Sequence, residues 1–178
     1  MDVEADAGWL KELIRDVPDF PRPGIVFKDL TPLLADPQSL NFVVTALAAR
    51  FEAHGVTKVV GIEARGFIVA TPVALALRTG FVPVRKIGKL PWHTERATYD
   101  LEYGTDTLEV HADGLVPGDR VLIVDDVIAT GGTAAATITL VERLGAAVVG
   151  LGFVIELGFL DGRRLLAGHE VASLIRYE

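Results

Sequence analysis

Two periodicities alternate along this chain. Lys58 to Ile62, Phe81 to Arg85, Val121 to Val124 and Val148 to Ile155 are short, nearly continuous apolar runs rich in β-branched residues, the pattern of strands covered on both faces. Between them the apolar residues recur at helical spacing. Asp36-Pro37 opens one such stretch, Leu40, Val43, Val44, Leu47 and Phe51 form its face, and His54-Gly55 stops it. Others run from Phe67 towards Arg78, from Gly132 to Arg143 before Gly145, and briefly from Leu160 to Leu166, with Val171 to Tyr177 as a last strand. Trp9, Leu10, Leu13 and Ile14, with Val17, predict an amphipathic helix ended by Asp16, Pro18 and Pro21. The alternation predicts an α/β fold, doubly wound, with a mostly parallel sheet flanked by helices.

Two stretches break the pattern. Phe20 to Leu34, FPRPGIVFKDLTPLL, has too much proline for a core strand and too many apolar residues for a free linker, so it must cover something. Pro91 to Tyr99, PWHTERATY, loses periodicity and mixes charge signs, as a mobile lid would. After it, Tyr99 to Tyr103 and Thr107 to His111 predict an antiparallel hairpin around Gly104-Thr105-Asp106. The reading is one domain over residues 1–178, with a small N-terminal hood near 18–34 and a lid near 89–103.

Composition narrows the class. The chain has 178 residues, 50% of them hydrophobic, enough for one substantial core. With 17 basic and 24 acidic side chains its net charge is −7, which argues against a general nucleic-acid or membrane-surface binder. It has no cysteine, so no disulfide or thiolate metal site, and a reducing cytoplasm is the simplest expectation. MDVEADAG lacks the apolar core of a signal peptide, and no apolar run is long enough to span a bilayer. His54 reads as a helix-end surface residue; His93 and His111, without partners at metal-ligand spacing, read as solvent-facing.

The chemistry concentrates in Val121 to Thr133, VLIVDDVIATGGT. Asp125 and Asp126 sit at the carboxyl end of a buried strand, where open α/β sheets bind ligands. Gly131 and Gly132 allow close backbone approach, and Thr130 and Thr133 place hydroxyls beside a helix N-terminus, as a phosphate site requires. Two acids beside a phosphate need hydroxyls or a metal ion to hold, and a phosphorylated ribose answers both. No Lys follows Gly132, so this is not a P-loop, and Gly150 with Gly152 lacks the third glycine of a dinucleotide fingerprint. A second strand-to-loop-to-helix unit carries Glu63, Ala64, Arg65 and Gly66, where an Arg and loop amides suit a pyrophosphate, against the simpler reading of a Glu63–Arg65 surface salt bridge. Arg85, Lys86 and Lys89 then form a basic cluster at a strand end.

VLIVDDVIATGGT resembles the phosphoribosyl pyrophosphate (PRPP) motif of type I phosphoribosyltransferases. FPRPGIVFKDLTPLL, GIEARGF, RKIGKLP, YDLEYG and IELGFLDGR, in that order around it, extend the resemblance to the adenine phosphoribosyltransferases over nearly the whole chain. The resemblance implies transfer of the 5-phosphoribosyl group of PRPP to adenine with Mg²⁺, giving AMP and pyrophosphate, in a cytoplasmic homodimer. It implies that Ala129, Thr130, Gly131, Gly132 and Thr133 hold the 5-phosphate, and Asp125 and Asp126 the ribose hydroxyls, directly or through Mg²⁺. Glu63, Ala64, Arg65 and Gly66 would take the pyrophosphate, with charge added by Arg85, Lys86 and Lys89, the last from its own protomer or across a dimer. Phe27 would stack on adenine, backbone groups of Val26 and Lys28 would read its polar edge, and Glu102, with Tyr103 beside it, would handle the proton on the ring nitrogen next to the attacking one. The same resemblance implies a cis peptide between Glu63 and Ala64. Lys28 stands where Arg is more usual, and Ala70 where Gly is. Rival readings are a PRPP-binding regulator without turnover and a transferase for another purine such as xanthine.

Overall fold

The computed structural model describes residues 7–100 and 104–178. A seven-stranded sheet carries the fold, in the order β5-β6-β4-β3-β7-β8-β9. Its strands are β3 (Lys58–Ile62), β4 (Gly80–Lys86), β5 (Thr94–Asp100), β6 (Thr105–His111), β7 (Arg120–Ile128), β8 (Ala147–Leu157) and β9 (Val171–Tyr177). From β4 to β9 across the sheet the pairing is parallel, while β6 joins β4 antiparallel and β5 joins β6 antiparallel. The chain leaves β3 towards one edge and β7 towards the other, so the crossover lies between these two neighbours, where a crevice opens at their carboxyl ends.

The apolar runs are buried on both faces because each face has its own core. Val121 and Ile123 face the core under the Gly132–Arg143 helix; Leu122 and Val124 face the one built by the Pro37–Phe51 and Gly66–Ala76 helices. The Pro37–Phe51 helix starts as predicted. Asp36 accepts from the Ser39 amide at 2.8 Å, Pro37 needs no partner for an N–H, and Ser39, fully buried, donates its hydroxyl to Leu33 O at 2.6 Å. Gly55, with φ 62°, ends the continuation of this helix.

Several expectations are corrected. The segment at Trp9 is a 3-10 helix, Gly8–Leu13, not an α-helix, because its chain runs directly into a strand. That strand, β1 (Arg15–Pro18), pairs antiparallel with β2 (Val26–Asp29), so the hood is a two-stranded ribbon followed by a short helix, Thr31–Ala35. Trp9 does pack on a neighbour, edge-on to Phe42 with ring centroids 5.6 Å apart. Leu160 to Leu166 is two 3-10 turns, Gly158–Leu160 and Gly162–Leu166, broken at Asp161, whose φ of 52° no helix accommodates.

The largest correction concerns Pro91 to Tyr99. From Thr94 onward this segment is strand β5, paired residue by residue with β6 from Thr94↔His111 to Asp100↔Thr105. Arg96 and Thr98 point outward, Ala97 is buried and Tyr99 half-buried, a period of two that the mixed charges concealed. Thr105 and Asp106 accordingly belong to β6 and not to a turn. His93 is exposed, but His111 is half-buried and its Nε2 has no hydrogen-bond partner among the described residues. His54 is held at the surface by Glu170, 2.9 Å from its Nε2.

The Asp36 cap provides a direct check of this assembly. Asp36→Ala is expected to lower the unfolding free energy by about 1 kcal/mol, and Asp36→Asn to recover most of it. Chemical denaturation measures both; equal loss in the two variants would mean that the capping bond is not what Asp36 contributes.

Candidate active site

The acids lie inside β7 and not at its end, which corrects their predicted place. β3 stops pairing at Gly61↔Val124, while β7 continues beside β8 through Ile128↔Glu156. The edge of β7 from Asp125 to Ile128 therefore borders the crevice that β3 has vacated, and the loop after β3 faces it. In that loop the Glu63–Ala64 peptide is cis, as the resemblance implies. Gly66 follows because a Cβ there would stand 2.5 Å from Asp125 Oδ1.

A cavity of about 650 Å³ fills this crevice. Glu63, Ala64 and Arg65 form one wall and Asp125, Asp126, Val127, Ala129 and Thr133 the floor; Ile25 to Lys28 of the hood close the opposite side. Asp126 is 4% exposed, and Arg65 Nε lies 2.5 Å from its Oδ2. That contact is an ion pair without hydrogen-bond alignment, since Oδ2 has no bonding partner among the described residues. Arg65 also stacks its guanidinium 5.0 Å from the Phe27 ring centroid, and Phe20 braces Phe27 edge-on at 5.3 Å. The Glu63–Arg65 salt bridge is thus absent, each residue having another partner.

Burial, with the neighbouring Asp126 charge adding to it, pushes the Asp125 carboxyl well above its ordinary 3.8, although the Asp126 amide donates to it at 2.9 Å. Glu63 behaves oppositely. Burial raises its pKa, but hydrogen bonds from Arg85 at 3.1 and 3.3 Å and from the Lys86 amide at 2.9 Å outweigh that and leave it below 4.5. Arg85 is consequently engaged by Glu63. Lys86 reaches the cavity and pairs with Asp106 at 3.3 Å, while Lys89 is exposed and outside the cavity lining.

A second cavity of about 80 Å³ adjoins the first and is lined by Ala129, Thr130, Gly131 and Thr133, with Phe153 behind them. Gly131 sits at φ 83° against the backbone of Gly162, so no side chain fits there. The first helical bond in this region is from the Ala135 amide to Gly131 O, 2.9 Å. Among the described residues the amides of Thr130 to Ala134 donate to no protein acceptor, which leaves a cradle of donors for an anion at the start of the helix. Gly132 contributes its amide only.

Sequence reasoning missed Tyr99. Its ring lines the cavity, its hydroxyl accepts from Thr133 Oγ1 at 3.3 Å, and burial raises its pKa. The two-residue alternation of β5 was the available signal. Lys28 lines the cavity, but its ammonium is turned to Asp16, 2.6 Å away, and lies 4.2 Å from the Tyr177 ring centroid, so it clamps the hood to β9. Ala70 is fully buried and packs close to Gly61. Glu102 and Tyr103 lie outside the described residues.

Known proteins match this chain over nearly its whole length. The phosphoribosyl transferase domain model matches residues 31–163. An adenine phosphoribosyltransferase of Acidothermus cellulolyticus is 60% identical over 173 residues, 97% of this chain and 98% of that one. The crystal structure of adenine phosphoribosyltransferase from Thermoanaerobacter pseudethanolicus superposes with a TM-score of 0.94 at 48% identity, covering 96% of this chain and 99% of the other. The Saccharomyces cerevisiae enzyme, complexed with an imino-altritol bisphosphate and adenine, gives a TM-score of 0.91 at 41% identity, covering 96% and 98%.

The upward shift of Asp125 has a definite sign. A raised folded pKa means its stability contribution is complete below the ordinary 3.8 and is lost as pH rises through the folded value, so at neutral pH the ionised carboxylate destabilises the free protein. Asp125→Asn is expected to raise the melting temperature at pH 7 and to lose that advantage near pH 4, while impairing turnover. A lower melting temperature at pH 7 would show that the carboxylate is not desolvated at a cost.

Proposed function

The chain belongs to the adenine phosphoribosyltransferases, and we propose that it does what that membership implies: it transfers the 5-phosphoribosyl group of PRPP to adenine, forming AMP and pyrophosphate in purine salvage. The observation that carries this reading is the meeting, across two adjoining cavities, of two adjacent carboxylates, an amide cradle and the Phe27 ring. A phosphate in the cradle would bring the ribose hydroxyls over Asp125 and Asp126. The pyrophosphate would then lie against the Ala64–Arg65 loop and Lys86, with Lys89 acting in its own protomer or across a homodimer.

The reaction breaks the bond between ribose carbon 1 and pyrophosphate as an adenine ring nitrogen attacks that carbon. The sugar becomes oxocarbenium-like and the departing group strongly anionic, so the protein must supply charge, position and exclusion of water and needs no nucleophile of its own. Arg65 and the basic residues stabilise the leaving group. Phe27 holds the base, backbone groups of Val26 and Lys28 read its edge, and Glu102 manages the proton on the neighbouring ring nitrogen.

Magnesium fits this site as a substrate-borne ion. Among the described residues there is no group of three or more metal ligands, but the buried Asp126 Oδ2, which faces Arg65 without accepting a hydrogen bond, can accept from a ribose hydroxyl or from water on the metal. Asp125 and Asp126 would hold Mg²⁺, directly or through water, and the ion would supply positive charge to the departing pyrophosphate. Among the described residues no helix is long and apolar enough to cross a membrane.

Incubation with PRPP, Mg²⁺ and each nucleobase in turn tests the assignment. AMP and pyrophosphate should form with adenine; turnover only with a 6-oxopurine would reassign the base, and binding without turnover would favour a regulator. In the same assay Phe27→Ala should raise KM for adenine roughly tenfold, about 1.4 kcal/mol, with KM for PRPP little changed.

A further inference from the structure

Glu109 is 1% exposed, stands on β6 opposite both Arg85 and Arg96, and belongs to none of the motifs considered above. A carboxylate so deeply buried must be met by donors, and its donors come from two separate segments. Its Oε1 accepts from the amides of Lys89 at 3.1 Å and Leu90 at 3.2 Å. Its Oε2 accepts from the Thr94 hydroxyl at 3.2 Å and lies 3.3 Å from Arg96 Nε. Burial alone would raise its pKa, yet the Leu90 and Lys89 amides and Thr94 overcome that and hold it below 4.5, so it is a carboxylate at neutral pH.

The turn between β4 and β5 is therefore gripped from both sides. Its amides point to Glu109, and the carbonyl of Lys89 accepts from Arg85 Nη1 at 3.2 Å, Arg85 being fixed in turn by Glu63 next to the cis peptide. Gly88, at φ 79°, lets the chain reverse within this grip. One continuous set of hydrogen bonds thus runs from the Glu63–Ala64 loop through the basic turn to the first residues of the β5–β6 hairpin. Without Glu109 the turn would keep its carbonyl anchor and lose its amide anchor, and the Lys89 ammonium, whose charge acts on Glu63 but which makes no hydrogen bond or salt bridge of its own among the described residues, would lose its fixed starting point.

We propose that Glu109 is the positioning residue for Lys89, fixing the backbone from which that ammonium reaches the pyrophosphate of the proposed reaction. The inference rests on the phosphoribosyl-transfer reading and adds to it a residue that touches no substrate. A residue acting through Lys89 must affect the pyrophosphate end of the substrate and spare the base.

The test is Glu109→Gln in the full-length protein, assayed in both directions. KM for PRPP and for pyrophosphate should rise roughly tenfold while KM for adenine and for AMP stay within about threefold. In a Lys89→Ala background the same substitution should change KM for pyrophosphate less than about twofold, since the group being positioned is gone. Additive effects in the double variant, or equal rises in all four constants, would overturn the proposal. If Glu109→Gln does not fold, Thr94→Val, which removes one donor to the same carboxylate, decides it: a selective rise in KM for pyrophosphate supports the role and no change overturns it. Wild-type protein that forms no AMP would overturn the transfer reading itself; normal wild-type turnover with unchanged constants in the variants would overturn this inference alone.

Discussion

Two neighbouring carboxylates held in a crevice with too few internal donors set the terms for the rest of this structure. Asp126 is almost fully buried, one of its oxygens meets the Arg65 guanidinium as an ion pair but accepts no aligned hydrogen bond among the described residues, and Asp125 is pushed towards its protonated form. A free protein gains nothing from such an arrangement. It becomes favourable when a ligand brings hydroxyls and positive charge, so the site's chemistry is defined by what it lacks. The phosphate cradle at the start of the Gly132–Arg143 helix has the complementary deficit, with amide donors and no acceptor. In the proposed reaction a phosphorylated ribose with its metal ion would fill both at once.

The fold creates this deficit by letting β7 outrun β3. Beyond Val124 only β8 pairs with β7, and the vacated edge is closed by loops and not by a strand. Those loops are kept close by residues that have no room for, or no need of, a side chain: Gly66 against Asp125, and Gly131 against Gly162. Farther out the walls are tied by buried carboxylates. Glu156 takes three donor groups from Arg163 and Ser173 under the 3-10 turns that carry Gly162, and Glu109 does the corresponding work for the basic turn. Acidic residues outside the cavity lining thus tie down the turns that carry Gly162 and Lys89.

Much of this was legible in the sequence because burial on both faces leaves an unmistakable apolar run. The strands Lys58–Ile62 and Val171–Tyr177 and the helix Gly132–Arg143 have the bounds their patterns predict. The hood was legible as a cover but not as a ribbon, since a strand at Arg15–Pro18 is mostly exposed and held by pairing, which leaves no hydrophobic period. The same reason hid β5. The apolar residues on its inward side are only Ala97 and Tyr99, with Glu95 beside them, and between charged residues that alternation resembled a loop. Within the site, the carboxylates, glycines and Arg65 were visible as types at a spacing, while the exchange of partners was not: Arg85 with Glu63, Arg65 with Asp126 and Lys28 with Asp16 and Tyr177 depend on which strands lie side by side.

The claim that the acid pair is held short of donors until a ligand arrives is most directly tested by a ¹³C NMR titration of the Asp125 side-chain carboxyl in the free protein and with AMP and Mg²⁺ bound. The account predicts a titration midpoint clearly above the ordinary 3.8 in the free protein, moving down when the ligand's hydroxyls and the metal ion are in place. A midpoint at or below 3.8 without ligand, or one that rises on binding, would contradict it.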